Sequence, residues 1–304
     1  MAEGFISAKS LSKKFFTLYF LCKDLLSKAA HYDWGLRAIK SVLVVAGDML
    51  RKNNDPNIGE DAVLMRALRD FNLPKIVADD LDIFYGLLGD LFPGINPPRS
   101  RNMTFEGIIE KVTVKNGLFP DETFLRKVVE LGELLEIRHC VFTMGPPGAG
   151  KSSTWKTLAA AQDEDKRKTT WVDLNPKVTS TNELYGYVLL STREWKDGLL
   201  SNILRRLSQI PDSNPKWIIL DGDLDANWIE SMNSVMDDNK LLTLASNERI
   251  PLKPHMKMIF EIRDLKFATP ATVSRAGILF ISDSAGYQWR AYVKSWISKM
   301  KCDQ

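Results

Sequence analysis

Eight consecutive residues, Gly145-Pro146-Pro147-Gly148-Ala149-Gly150-Lys151-Ser152, match the pattern G-x-x-x-x-G-K-[ST] in full. No other stretch constrains the fold as strongly, because this pattern works only as the turn between a buried strand and a helix. The flanks supply both. Residues 140–144 form an apolar run, and residues 152–161 place Leu158 and Ala161 on what becomes the inner face of a helix. Glycine at 145, 148 and 150 permits backbone angles that other residues resist. The N–H groups of the turn, and those that follow at Ser152 and Ser153, are then aimed at an anion, helped by the helix N-terminus. The implied ligand is a nucleotide: Lys151 reaches the β- and γ-phosphates, and the Ser152 hydroxyl meets Mg²⁺. The fixed positions recur by accident in roughly one per cent of chains of this length. A plain glycine-rich turn is therefore the weaker reading.

A second segment, Trp217-Ile218-Ile219-Leu220-Asp221, is a buried strand ending in an acid. That is the arrangement that holds Mg²⁺ beside a phosphate loop. Together the two motifs resemble the AAA+ class, whose hydrolytic members usually carry Glu directly after this acid to polarise the attacking water. Here the next residue is Gly222. Positioning supplies much of phosphoryl-transfer catalysis, so losing that group costs orders of magnitude in rate. Asp223 is the one nearby substitute. Its side chain is shorter and two positions removed, and Asp-Gly-Asp is also ordinary turn chemistry.

Around these motifs the hydrophobic period changes twice. Leu11, Phe15, Leu18, Cys22 and Leu25 recur at three and four residues, on one helix face. Residues 34–46 read as a second helix through Leu36, Ile39 and Leu43, with Gly47 as its stop. Residues 62–71 read as a third, ended by Pro74, and Asp79 or Asp80 caps a fourth that runs to residue 91. Residues 93–98, rich in Pro and Gly, mark a boundary. After a linker to residue 120, a helix at 122–138 leads into the apolar run at 140. Strands follow near 169–174, 216–221, 256–263 and 277–282, with helices between them and a last helix at 288–300. Alternation of this kind makes an α/β fold with a mostly parallel sheet, preceded by an all-helical part. Ligands of such sheets bind at the carboxyl ends of the strands, where the glycine-rich loop and Asp221 both fall.

Composition narrows the function classes. A chain of 304 residues with 44% apolar content has room for about two domains. A net charge of +3 gives no field that argues for nucleic acid or membrane. The basic run Lys166-Arg167-Lys168 follows Asp163-Glu164-Asp165 and reads as a solvated loop. Trp171 and Trp217 lie in strands and read as core rather than as stacking platforms. No apolar run spans a membrane and the N-terminus shows no signal peptide. Cys22, Cys140 and Cys302 have no zinc or redox spacing, which fits a reducing compartment, and His31, His139 and His255 are scattered enough to be structural.

Longer motifs resemble one family. Leu184-Tyr185-Gly186-Tyr187, residues 192–198 (TREWKDG), Asp221-Gly222-Asp223-Leu224-Asp225, Trp228-Ile229-Glu230, residues 233–243 (NSVMDDNKLLT) and Ala271-Thr272-Val273-Ser274-Arg275 are similar to the large part of the second AAA+ module of dynein heavy chains. Residues 31–41 (HYDWGLRAIKS), 65–69 (MRALR) and 90–93 (DLFP) resemble the helical lid of the first module. The wording is nearest to axonemal dyneins, which drive cilia and flagella. The resemblance covers nearly the whole chain. It implies a lid at 1–92, a linker at 93–120 and an AAA+ P-loop core at 121–304, as in a fragment or truncated product of a six-module ring.

The resemblance also implies roles. Arg275 is similar to the arginine finger that reaches the preceding module's ATP, and Arg37 to the lid's sensor arginine for that same site. The plainer alternatives are a helix-end cation paired with an acid for Arg275 and an exposed cation for Arg37. Asp264 falls where hydrolytic relatives carry a polar sensor, often Asn, and an acid there would repel γ-phosphate. The expected cofactors are ATP or ADP with Mg²⁺, bound with little hydrolysis. The expected partners are neighbouring AAA+ modules, with dynein subunits and microtubules engaged through other parts, and neither nucleic acid nor membrane. The expected location is cytoplasm and cytoskeleton, in the axoneme of a cilium or flagellum. Two alternatives stand beside this reading: a self-contained P-loop ATPase or kinase, and an AAA+ machine acting on nucleic acid.

Overall fold

The helical period of the N-terminal part becomes α1 (Ala8–Leu25), α2 (Leu36–Lys52), α3 (Glu60–Asn72) and α4 (Leu81–Leu91). The computed structural model describes residues 4–52, 59–98, 102–282 and 287–302. Two units divide the chain, one running to Asn102 and the other from Met103. The first unit's core is built from Phe15, Leu18 and Cys22 of α1, Val42 and Ala46 of α2, Leu64 and Leu68 of α3, and Phe84 and Leu88 of α4.

Four sequence expectations are corrected in this unit. Leu25 is exposed and Leu26 is buried in its place, because α1 ends there and the chain turns. On α2 the buried stripe is Ala38, Val42 and Ala46, while Leu36 is 84% exposed. Small side chains let helices approach closely, and that contact outweighs burial of the larger leucines. Gly47 does not stop α2. It is buried inside the helix, which continues to Lys52, so packing overrides the intrinsic cost of an internal glycine, about 1 kcal/mol. Asp80 does not cap α4 with its side chain. Its carboxylate instead accepts from the Ser27 N–H and hydroxyl and from the Tyr32 hydroxyl, pinning the α1–α2 connection.

The second unit starts within the interval that reads as a linker. Residues Met103–Lys115 form α5, whose Ile109 and Val112 are buried. Then come α6 (Glu122–Ile137), β1 (Cys140–Met144), α7 (Lys151–Glu164), β2 (Thr170–Leu174), α8 (Thr181–Tyr185), β3 (Gly186–Val188), β4 (Trp195–Asp197), α9 (Leu199–Gln209), β5 (Lys216–Asp221), α10 (Ala226–Met236), β6 (Leu241–Thr243), β7 (Arg249–Pro251), β8 (Met256–Ile262), α11 (Pro270–Val273), β9 (Gly277–Phe280) and α12 (Tyr287–Cys302). The main sheet has the order β2-β5-β8-β1-β9, and every pairing is parallel.

Side chains alternate across that sheet, as a two-residue period requires. Val141, Ile219 and Ile259 meet α5, α6 and α7 on one face. Phe142, Leu220, Met258 and Phe260 meet α9 and α10 on the other. A strand covered on both faces reads as a continuous apolar run, which is why β1, β5 and β8 are legible in the sequence. The two antiparallel ribbons β3–β4 and β6–β7 are not, since strands of three residues are too short to show a period. Trp217 is core, but Trp171 on the edge strand β2 is 42% exposed, contrary to the core reading.

Cys22 and Cys140 are buried free thiols, and burial pushes both up to about 12, which makes them inert packing groups. The Cys302 side chain lies outside the described positions. Among the described residues, no helix is long and apolar enough to cross a membrane.

His31 and His139 are buried, each with Nε2 donating to a backbone carbonyl, Lys75 O and Val235 O respectively. Burial lowers both imidazoles to about 4. In the unfolded chain each takes up a proton near its ordinary 6.5, so protons favour unfolding between those values. Stability from both groups is full above about pH 6.5 and declines as the pH falls toward about 4. Thermal unfolding followed between pH 7 and 5 should show a midpoint that drops steadily. A flat profile would mean that neither ring is kept neutral by the fold.

Candidate nucleotide-binding site

The glycine-rich loop leaves the end of β1 under tight restraint. Gly145 N–H donates to Ile262 O at 3.3 Å, and Ile281 N–H donates to Met144 O at 2.8 Å. A Cβ on Gly145 would lie 2.3 Å from Ile281 O, so only glycine fits. Gly148 and Gly150 have φ of +78° and +89°, in the left-handed region that favours glycine. Gly150 is also the N-cap of α7 and makes no side-chain cap. The first-turn N–H groups of α7 are thereby left to an anion.

An open cleft of about 640 Å³ lies over this turn, within the range of small-molecule sites. Pro147, Gly148, Gly150, Lys151, Ser152 and Ser153 line it, facing Asp221, Gly222, Asp223, Asn175, Lys177, Glu261 and Arg263. Gly145 and Ala149 are buried behind the loop, and Pro146 supplies a carbonyl there. The half-buried Lys151 ammonium donates to Gly145 O at 2.8 Å and Pro146 O at 3.0 Å. Burial draws its pKa down, opposed by the charges of Glu261, Asp221 and Asp223. The loop, Asp221 and the missing acid at Gly222 thus meet at the carboxyl ends of adjacent strands.

Glu261 was not foreseen. Ser152 Oγ donates to its Oε2 at 2.7 Å, and Trp155 Nε1 donates to its other oxygen. In the sheet register Glu261 pairs with Asp221 on one side and Thr143 on the other. All three follow the alternation that puts Val141, Ile219 and Ile259 against α7. Neighbouring strands lie about 5 Å apart, so two carboxylates there repel by on the order of 1–3 kcal/mol, according to how far water screens them. A cation between them relieves that repulsion. The sequence did hold a signal: one acid, Glu261, inside the otherwise apolar stretch Met258 to Ile262.

The other expected residues divide between the cleft and places outside it. Asp264 is not at the cleft; its carboxylate accepts from Lys266 N–H at 3.1 Å in a local turn after β8. β8 ends before it, so alternation brings Glu261 rather than Asp264 to the loop. Asp223 lines the cleft, accepting from Arg263 N–H at 3.1 Å with Lys177 Nζ 3.9 Å away. Arg275 is outside the cleft. Its Nε donates to Asp237 Oδ1 at 2.6 Å and its Nη1 to Asn233 Oδ1 at 3.2 Å, at the end of α10. Arg37 is an exposed residue of α2 in the first unit. Sequence reading also missed Asn175, Lys177 and Arg263, because their loops are brought to the cleft only by strand order.

The donor set suits Mg²⁺: a hydroxyl and carboxylates, all hard oxygen ligands. Among the described residues, no group of three or more His, Cys, Asp or Glu could by itself hold a metal ion.

Comparison with known proteins points to one family. Residues 1–152 match the family described as the hydrolytic ATP binding site of the dynein motor region, and residues 140–276 match the AAA domain of the dynein-related subfamily. The chain is 58% identical to the dynein alpha chain of the flagellar outer arm of Chlamydomonas reinhardtii, over 99% of this chain and 7% of that one. It is 58% identical to dynein axonemal heavy chain 9 of Homo sapiens and to the ciliary dynein beta chain of Tripneustes gratilla, in each case over 98% of this chain and 7% of the relative. The chain therefore spans about 7% of the length of these relatives.

Proposed function

The chain belongs to the dynein heavy chain family, and on that premise we propose that its own site holds ATP or ADP with Mg²⁺ and hydrolyses it little or not at all. The observation that carries this is the cleft itself. Lys151, Ser152 and Asp221 are assembled around it, while Gly222 stands where a water-polarising acid belongs. Lys151 and the α7 N-terminus would hold phosphate, and Ser152 and Asp221 would hold the metal, which on binding screens phosphate charge. Lys177 and Arg263 add positive charge at the rim.

Within a longer heavy chain, the segment acts as an ATP-binding part of an axonemal motor ring. That ring couples hydrolysis at other sites to microtubule-based movement in the cytoskeleton of a cilium or flagellum. Residues 1–92 serve as the lid of a preceding module and residues 121–304 as the core of the next, with α5 leading into that core. Arg37 and Arg275 serve the preceding module's site. For Arg275 this means exchanging Asp237 for phosphate charge, a swap between two anions.

The test is a titration of the purified chain with ATP and Mg²⁺, following thermal unfolding and phosphate release in the same samples. Stabilisation without release is expected. Steady release would overturn the binding-only reading in favour of a self-contained P-loop ATPase, with Asp223 as the first residue to suspect.

A further inference from the structure

We infer that Glu261 is a positioning residue for the metal end of this site, orienting the Ser152 hydroxyl toward Mg²⁺. The inference rests on the nucleotide reading above and adds a second carboxylate to it. A serine hydroxyl has one proton and two lone pairs. Because Ser152 gives its proton to Glu261 at 2.7 Å, its free lone pairs turn away from that carboxylate. This is the form of the group that ligates a hard cation.

Glu261 is itself held at both oxygens, one by Ser152 and the other by the Trp155 indole. Trp155 is fully buried and meets Trp171 edge-on, with ring centroids 5.0 Å apart. Ligand groups fixed in this way by a surrounding shell are what tune metal affinity.

The charge of Glu261 points the same way. The side chain is only 5% exposed, both of its hydrogen-bond donors are neutral, and no salt bridge reaches it among the described residues. Lys151, which lines the same cleft, supplies some positive charge, since the charge of Glu261 acts on its ammonium, but a buried carboxylate that is not directly ion-paired remains unfavourable. The open space beside it is the cleft, which it lines together with Asp221, its register partner on β5. Thr143, its partner on β1, does not compete, because its hydroxyl donates to Phe260 O at 3.0 Å. The strand-end acid and Glu261 thus divide the work. Asp221 is exposed in the cleft, where it would meet the ion, and Glu261 would orient the hydroxyl from behind.

The experiment measures ADP affinity of the whole 304-residue chain in Mg²⁺ and in EDTA, for the native protein, Glu261→Gln and Thr143→Val. Indole fluorescence is recorded in the same titrations. In the native protein, Mg²⁺ should tighten ADP binding and change the fluorescence. Glu261→Gln should lose about 10- to 100-fold of the Mg²⁺-dependent part, with EDTA affinity nearly unchanged. Thr143→Val, a same-size change beside Glu261, should keep the Mg²⁺ effect.

A Glu261→Gln protein with the full Mg²⁺ effect overturns the inference. So does a Thr143→Val protein that loses as much, since local packing would then explain the result. If Glu261→Gln does not fold, Glu261→Asp decides. Its carboxylate is withdrawn by one methylene from Ser152 and should raise the Mg²⁺ needed for half-saturation, and an unchanged requirement overturns the inference. Native protein that binds no ADP under either condition refutes the nucleotide reading itself. ADP binding indifferent to Mg²⁺ refutes only the role of Glu261.

Discussion

Lys151→Ala is expected to weaken ATP binding by about 30-fold or more while leaving the fold intact. Truncating one member of a partly buried charged pair costs about 2–5 kcal/mol, and 1.4 kcal/mol is tenfold in affinity. The side chain is half-buried at the floor of the cleft, and its hydrogen bonds are to carbonyls of its own loop, Gly145 and Pro146. Alanine removes the phosphate partner without emptying the core, since the buried face of α7 is formed by Trp155, Leu158 and Ala161. Calorimetric titration with ATP checks the affinity, and unfolding without nucleotide checks the fold. An affinity within a factor of about three of the native value, below 1 kcal/mol, would mean that nucleotide is held elsewhere.

Gly222→Glu is expected to raise hydrolysis of bound ATP by about 100-fold in a single turnover, the lower end of what a positioned acid–base group contributes. The backbone at Gly222 is not in the left-handed region, so a side chain there brings no strain of φ. A Cβ would lie 3.0 Å from Asn175 Oδ1 and 3.3 Å from Pro176 Cδ. Asn175 already accepts from Lys177 N–H at 2.9 Å, so its amide must shift by a few tenths of an ångström to admit the new group. The variant should remain slow in absolute terms, because an arginine supplied to a site in trans contributes about 10³–10⁵ more. This chain's own Arg275 is engaged by Asp237. An unchanged single-turnover rate would show that the missing acid is not what limits hydrolysis.

How much of this was legible in the sequence depends on chain distance. The phosphate loop was readable because strand, turn and helix are contiguous and each obeys a local rule. Asp221 and Gly222 were readable because a buried strand ends there. Glu261 lies 109 residues from Ser152, and nothing local says that β8 runs between β1 and β5. The same limit applies to Asp264, which motif spacing points to but which lies in a turn after β8 rather than along the cleft. Counting from a motif cannot say on which residue the strand ends or which way alternate side chains face. In the helical unit, periodicity located the helices, but of the predicted face of α2 only Ile39 packs on the core, because partner shape decides whether Ala38, Val42 and Ala46 or the larger leucines are buried.

By itself, the sequence determined the class of fold, the glycine-rich turn between strand and helix, the strand-end acid and the absence of an acid after it. It did so because these are properties of contiguous segments whose backbone preferences and hydrophobic periods are written residue by residue. Only the tertiary structure decided that Glu261 stands behind Ser152, that Arg275 rests on Asp237, and that the interval before residue 120 holds a packed helix. Those facts follow from strand order and sheet register, which bring distant residues within hydrogen-bonding distance and leave no trace in local pattern.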